Sequence, residues 1–224
     1  MKTKIVILFF LCMETAAFGQ KITKANLPDS YDFTWRYTQQ VTNKQGDMLI
    51  HYFFKENQPN FGSKIEVIKG KDLVSNMFTI MDYRLNVSLV LLDMMGSKMG
   101  QIIKLPSNDN SSQDLEDYKI EEIGEKEILG YQCKGIQYEN EDYKIIMYYA
   151  IDPPVSFNQL YQSNTQNIPE GINMRLFEGL ENSLVLEMEF IDKKKKKFNS
   201  KIIGIALEKE PLSINISDYK FMGF

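Results

Sequence analysis

The strongest constraint on this chain is a side-chain alternation of period two that recurs along most of its length. In SLVLEMEFI (183–191), Leu184, Leu186, Met188 and Phe190 fall on one face, and Val185, Glu187, Glu189 and Ile191 on the other. That period belongs to a pleated strand; a helix would scatter such residues around its circumference. In MLIHYFF (48–54), Met48, Ile50, Tyr52 and Phe54 alternate with Leu49, His51 and Phe53. The run YKIIMYY (143–149) is apolar on both faces apart from Lys144. Strands of that kind predict a sheet covered on both sides, or one whose second face lines a cavity.

Short polar or Gly-containing segments separate these runs. Asn43–Gly46 parts 32–41 from 47–55, Asn140–Asp142 parts 131–139 from 143–151, and Asp192–Lys196 parts 183–191 from 198–207. Runs joined so closely must pair antiparallel. The expectation is a mainly β chain: one large, strongly curved, half-barrel-like antiparallel sheet, with one to three short helices. Residues 71–76 and 156–162 are the helical candidates. The polar loop 106–117 reads as a mobile flap, and 163–171 as a second irregular region.

The stretch LLDMMGSKMG (91–100) concentrates Met94, Met95 and Met99 around two glycines. Residues 87–95 alternate as a strand, Gly96-Ser97 suits a two-residue type II′ loop, and 98–105 resumes as a strand. Thioethers suit Cu(I), but the single His and the distant Cys133 supply no companion ligands, and no zinc pattern can be built. No metal is therefore expected. The methionines read as adaptable apolar packing, either of a core or of a ligand-contacting lip.

Residues 1–19 have the build of a secretory leader: Lys2 and Lys4, the apolar run Ile5–Cys12, and Ala17-Phe18-Gly19 before Gln20. The run is too short to span a bilayer. Phe9, Phe10 and Leu11 precede Cys12, where acylation requires a small residue. The expectation is an exported protein, periplasmic or secreted, neither lipid-anchored nor transmembrane. Residues 20–224 would form a single β-rich domain. After leader removal only Cys133 is left, so no internal disulfide can form, and a buried inert thiol is expected. The whole chain carries −4; Lys2, Lys4 and Glu14 give the leader +1, leaving −5 for the remainder. That balance excludes nucleic acid as the main partner.

No Gly-rich phosphate loop, Gly-x-Ser-x-Gly elbow or His-Glu-x-x-His occurs. The lone His51 has no partner signalled by a motif, and the many carboxylates read as solvated surface. No cofactor is expected, and no enzyme is indicated. Lys193, Lys194, Lys195, Lys196 and Lys197 tip an expected hairpin. They read either as a solvated turn that guards strand edges, or as a contact with an anionic membrane surface at about 1 kcal/mol per Lys.

Three segments carry a family resemblance: Met77–Gly100, Glu122–Asp152 and Leu186–Ile203, with Ile128-Leu129-Gly130-Tyr131-Gln132-Cys133 the most specific piece. Together they resemble the exported bacterial proteins of the domain-of-unknown-function 4412 family, common in Bacteroidetes-type organisms. The strand-rich pattern also resembles, at fold level, the periplasmic lipoprotein carriers of LolA and LolB type, whose curled sheet surrounds acyl chains. That resemblance implies binding of an apolar ligand, a lipid or lipoprotein acyl chain, in a curved-sheet cleft. The chain's 14 Phe, 12 Tyr and 12 Met suit such a surface. Met94, Met95 and Met99 are the candidate contacts, with Tyr148 and Phe190, and the loop near Asp109 is the candidate gate. Two alternatives stay open: an interaction or structural module of the envelope, and an enzyme with an unrecognised site. The family implies no catalytic residues.

Overall fold

A computed structural model describes residues 22–221, except 45, 57, 59, 70–75, 95, 106–117, 157–178, 181 and 196–198. Its strands are β1 (Ser30–Asn43), β2 (Gly46–Phe54), β3 (Asn60–Lys69), β4 (Met77–Asp82), β5 (Val87–Met94) and β6 (Ser97–Lys104). They continue as β7 (Lys119–Ile128), β8 (Tyr131–Glu139), β9 (Tyr143–Ile151), β10 (Ser183–Asp192), β11 (Ser200–Asn215) and β12 (Lys220–Phe221). All belong to one open, curled sheet, in the order β12-β6-β5-β4-β3-β2-β1-β11-β10-β9-β8-β7. Every neighbouring pair is antiparallel except β12 beside β6. Two meanders, β1–β6 and β7–β11, thus meet along one seam between β1 and β11.

The mainly β, curved antiparallel architecture is the one the alternation requires. Among the described residues no helix reaches seven residues; 3₁₀ turns occur at Lys24–Asn26 and Ile216–Asp218. The helical candidates lie outside the described residues except for Asn76 and Ser156, which are not helical. The flap 106–117, its Asp109, and the region 163–171 also lie outside them, as do residues 1–21. No helix among the described residues is long and apolar enough to cross a membrane.

One hairpin differs from expectation by a residue. Met94 pairs with Ser97, so the two-residue loop is Met95-Gly96 and not Gly96-Ser97. Gly96 takes φ +81° at the second loop position, where a positive angle is free only to glycine. The pairing then sets Met99 opposite Leu92.

Alternation sorts the apolar residues into clusters on both faces. Tyr37, Tyr52, Phe54, Phe61, Cys133, Ala150, Leu184 and Leu186 form one cluster running across the sheet from β3 to β8. Alternate residues of β8–β10 (Tyr138, Ile145, Met147, Val185, Met188 and Phe190) form a second, with Leu180 packed on it. Those strands are therefore covered on both sides, as their doubly apolar runs require. A third cluster joins Phe53, Ile80, Val87, Leu89 and Leu91 to Tyr31, Phe33 and Ile216. β1 passes from the third cluster to the first at an irregularity between Phe33 and Trp35. Cys133 is buried and free, and burial raises its pKa, as expected of an inert thiol.

Candidate functional site

Antiparallel order divides the loops between two rims. One rim carries the lysine hairpin after β10, the Met95-Gly96 loop, and the turns after β1 and β8. The other carries the end of β2, the β4–β5 and β7–β8 turns, the end of β9 and the middle of β11. The described cavities lie on this second rim.

Trp35 stands opposite Phe54 on β2 and Lys209 on β11. Its indole Nε1–H donates to Glu56 Oε1 at 2.8 Å, just where the chain leaves β2. Lys209 Nζ lies 5.4 Å from the centre of the Trp35 ring, a cation–π contact. Pro211 sits where the β1–β11 register shifts between Phe33 and Trp35; at such a break its missing N–H costs no ladder bond. Trp35, Pro211, Thr34, Lys55, Glu56 and Lys209 wall an open cleft of about 410 Å³.

Two further cavities continue it. Lys55 also lines a cavity of about 120 Å³, with Tyr31, Asp32, Asn60 and Arg84 among its walls. Glu56 also lines a third of about 610 Å³, bounded by Asp152, Pro153, Pro154, Val155, Ser156 and Asn182. The three form a groove along the rim with Trp35 at its middle.

The wall beside the smaller cavity is built on Asp82, which is fully buried. Its Oδ2 accepts from Tyr31 Oη at 2.8 Å, and its Oδ1 from the Leu85 N–H at 3.1 Å. Arg84 approaches to 3.6 Å from the exposed side. Burial, then the bond to Asp82, drives the Tyr31 phenol pKa well up, so this tyrosine holds its proton.

Of the five residues singled out from the sequence, the four described lie on four strands, β5, β6, β9 and β10. Phe190 is 1% exposed and stacks on Tyr143 with centroids 5.6 Å apart. Tyr148 packs against the first cluster under Lys126, whose Nζ lies 3.7 Å from the ring centre. Lys126 is also held at 2.7 Å by Glu187. Met99 lies on β6, between Leu92 of β5 and Lys220 of β12. Met94 pairs through its backbone with Ser97 at the far rim, and Met95 lies outside the described residues. The groove that sequence reading missed draws on positions far apart in the chain; its one signal was Trp35, the only tryptophan.

His51 has the partners that no motif announced. Thr38 Oγ1 is 3.0 Å from its Nδ1, and Glu66 Oε2 3.5 Å from its Nε2. The three residues sit on adjacent strands β1, β2 and β3. Thr38 is only 4% exposed and lines none of the three cavities described above. At the lysine tip, Lys193 pairs with Glu139 at 2.8 Å and Lys194 with Asp142. Lys196 and Lys197 lie outside the described residues. Among the described residues, no group of three His, Cys, Asp or Glu side chains is placed to hold a metal.

The family model described as a domain of unknown function, DUF4412, matches residues 33–176. The chain belongs to this family. The DUF4412 segment includes Trp35 and Glu56, whereas Lys209 and Pro211 lie beyond it. No curated protein matches the chain. Among solved structures, PNGF-II is similar at 13% identity and TM-score 0.42, covering 84% of this chain; the chain spans 30% of PNGF-II's length. An uncharacterised conserved protein of Thermus thermophilus is similar at 9% identity and TM-score 0.44, covering 80% of this chain and 79% of that one. A LolA superfamily protein of Nitrosomonas europaea is similar at 9% identity and TM-score 0.30, covering 81% and 87%.

Proposed function

We propose that this chain is a non-enzymatic, exported binding protein that takes an apolar ligand, a lipid or acyl chain, into the rim groove beside Trp35. The observation that carries this reading is the open cleft of about 410 Å³ walled by Trp35 and Pro211. Its volume falls in the range of small-molecule sites, roughly 300–1,000 Å³. The indole is fixed by its bond to Glu56, and a rigid aromatic face loses little freedom when an alkyl chain lies along it. Behind it, Tyr37, Tyr52 and Phe54 form a packed aromatic floor. The ligand contact thereby moves from Met94, Met95 and Met99 to the opposite rim. At the lysine tip, Lys193 and Lys194 already hold carboxylates, so these two add little to an anionic membrane contact in this reading.

The single tryptophan makes the test direct. Residues 20–224, purified from an exporting host, are titrated with dodecanoic acid below its micellar concentration while tryptophan emission is followed. A saturable blue shift is expected, with a matching adduct in native mass spectrometry. Unchanged emission together with a clean apo mass, with every ligand tried, would refute the proposal.

The interaction-module reading has one observation of its own. Leu129 and Ile151 are 38% and 48% exposed on the same rim, Leu129 on a tight turn at φ +54°.

A further inference from the structure

We propose that the outer edge of β7 is a docking site for an extended, positively charged segment of another protein, which adds to the sheet as a further strand. The site is separate from the groove and stands whether or not the groove takes a ligand.

The sheet treats its two edges differently. At one edge the chain supplies its own cover, since β12 lies along β6 at Met99 and Gly100. The other edge is β7, ten residues long, and among the described residues it pairs with β8 alone. The two-residue turn Leu129-Gly130 makes Ile128 and Tyr131 a hydrogen-bonded pair. Alternation then points the N–H and C=O of Glu125 and Glu127 away from β8, toward the open side. The approach is clear even at the bulge between Glu122 and Gly124. Gly124 has no atom within 4 Å of where a Cβ would stand, and the Ile123 side chain turns over Gly135. Ile120 on the same strand is 53% exposed. Main-chain groups that no strand satisfies, beside an apolar side chain in water, are what an added strand covers.

Charge selects the strand. β7 carries Glu121, Glu122, Glu125 and Glu127 against Lys119 and Lys126. Lys126 is taken by Glu187 and the Tyr148 ring, and Lys119 lies 3.5 Å from Glu121. Glu125 has Lys134 across the ladder. Glu122 and Glu127 stand opposite Ile136 and Gln132, and neither holds a cation among the described residues. A second copy of β7 would bring glutamates against glutamates, which destabilises a ladder. A strand with lysine or arginine at alternate positions meets them with the opposite sign.

The test titrates residues 20–224 into a fluorescent peptide of alternating lysine and threonine, as long as β7, and follows its anisotropy at physiological salt. Saturable one-to-one binding is expected. N-methylation of alternate residues keeps the peptide's charge and removes the donors of its pairing edge; it should weaken binding about tenfold or more. The double variant Glu122→Lys with Glu127→Lys should do the same. So should Glu127→Pro, which removes an outward N–H and leaves the bonds to β8 in place. Each variant is checked by circular dichroism. Equal affinity for the methylated and unmethylated peptides would overturn the proposal, since charge alone would then account for binding. Absence of binding would overturn it too. A dimer of the free protein in sedimentation, dissolved by Glu127→Pro, would assign the edge to a second copy and overturn it as well.

Discussion

At the scale of single residues, two side chains hold conformations or ionisation states that the fold imposes. Leu129 lies in the left-handed region at φ +54°, beside Gly130 at φ +80°, in the two-residue turn closed by Ile128 and Tyr131. In the sequence, Ile128–Cys133 stood out only for its family resemblance, and nothing there indicated that the bulky leucine before Gly130 shares the left-handed region. Asparagine tolerates that region better, so Leu129→Asn should raise stability by about 1 kcal/mol, read as a higher urea midpoint. An unchanged or lower midpoint would show that the exposed leucine makes packing contacts worth the strain. Tyr138 is the second case: burial pushes its phenol up to about 12 from an ordinary 10.0. The neutral form is favoured in the folded state, so its contribution is complete below pH 10 and disappears between about pH 10 and 12. Tyr31 and Tyr83 shift in the same direction. The urea midpoint should therefore fall steeply as the pH rises past 10. Were Tyr138→Phe to show the same fall, the loss would belong to the other buried phenols.

At the scale of elements, legibility followed how completely each strand is buried. β8 and β9 were readable to the residue, because alternation runs up to a turn in which Asn140 Oδ1 accepts the Asp142 and Tyr143 N–H groups at 2.9 and 2.7 Å. β7 is an edge strand with glutamates exposed on both faces, so it offered no apolar period to read. β11 extends past its expected end at 207, through Pro211, because the register shift there tolerates a residue without an N–H. The groove was not legible, since Trp35, Glu56, Lys209 and Pro211 meet only through strand pairing. At the opposite edge, β12 lies against β6 with the Phe221 ring where Gly100 lacks a side chain; a Cβ there would come within 2.7 Å of that ring. Lys98 holds Asp218 at 3.1 Å, and Lys24 Nζ donates to the Tyr219 carbonyl at 2.8 Å. Gly100→Val should eject Phe221 and release this strap. Limited proteolysis would then remove the C-terminal residues several times faster while the rest of the sheet stays resistant. Equal cleavage rates in the two proteins would show that the lysine contacts suffice to hold it.

At the scale of the whole molecule, the strand order carries a consequence for shape. The connection from β6 to β7 leaves one rim and returns at the other, and it joins strands on opposite flanks of the sheet. Laid flat, the two flanks would stand roughly 48 Å apart, with about 30 Å more to travel along the strands. The stretch from Leu105 to Tyr118 has a contour length of at most about 50 Å when fully drawn out, against a diagonal of roughly 57 Å. The tether is shorter than the chord it must span, so a planar sheet in this order is closed to the chain. Connectivity bends the molecule as a string bends a bow, and the curl does not depend on the packing of its inner face alone. Shortening the string by deleting residues 108–113 should lower the melting temperature, although none of the cluster residues described above is removed.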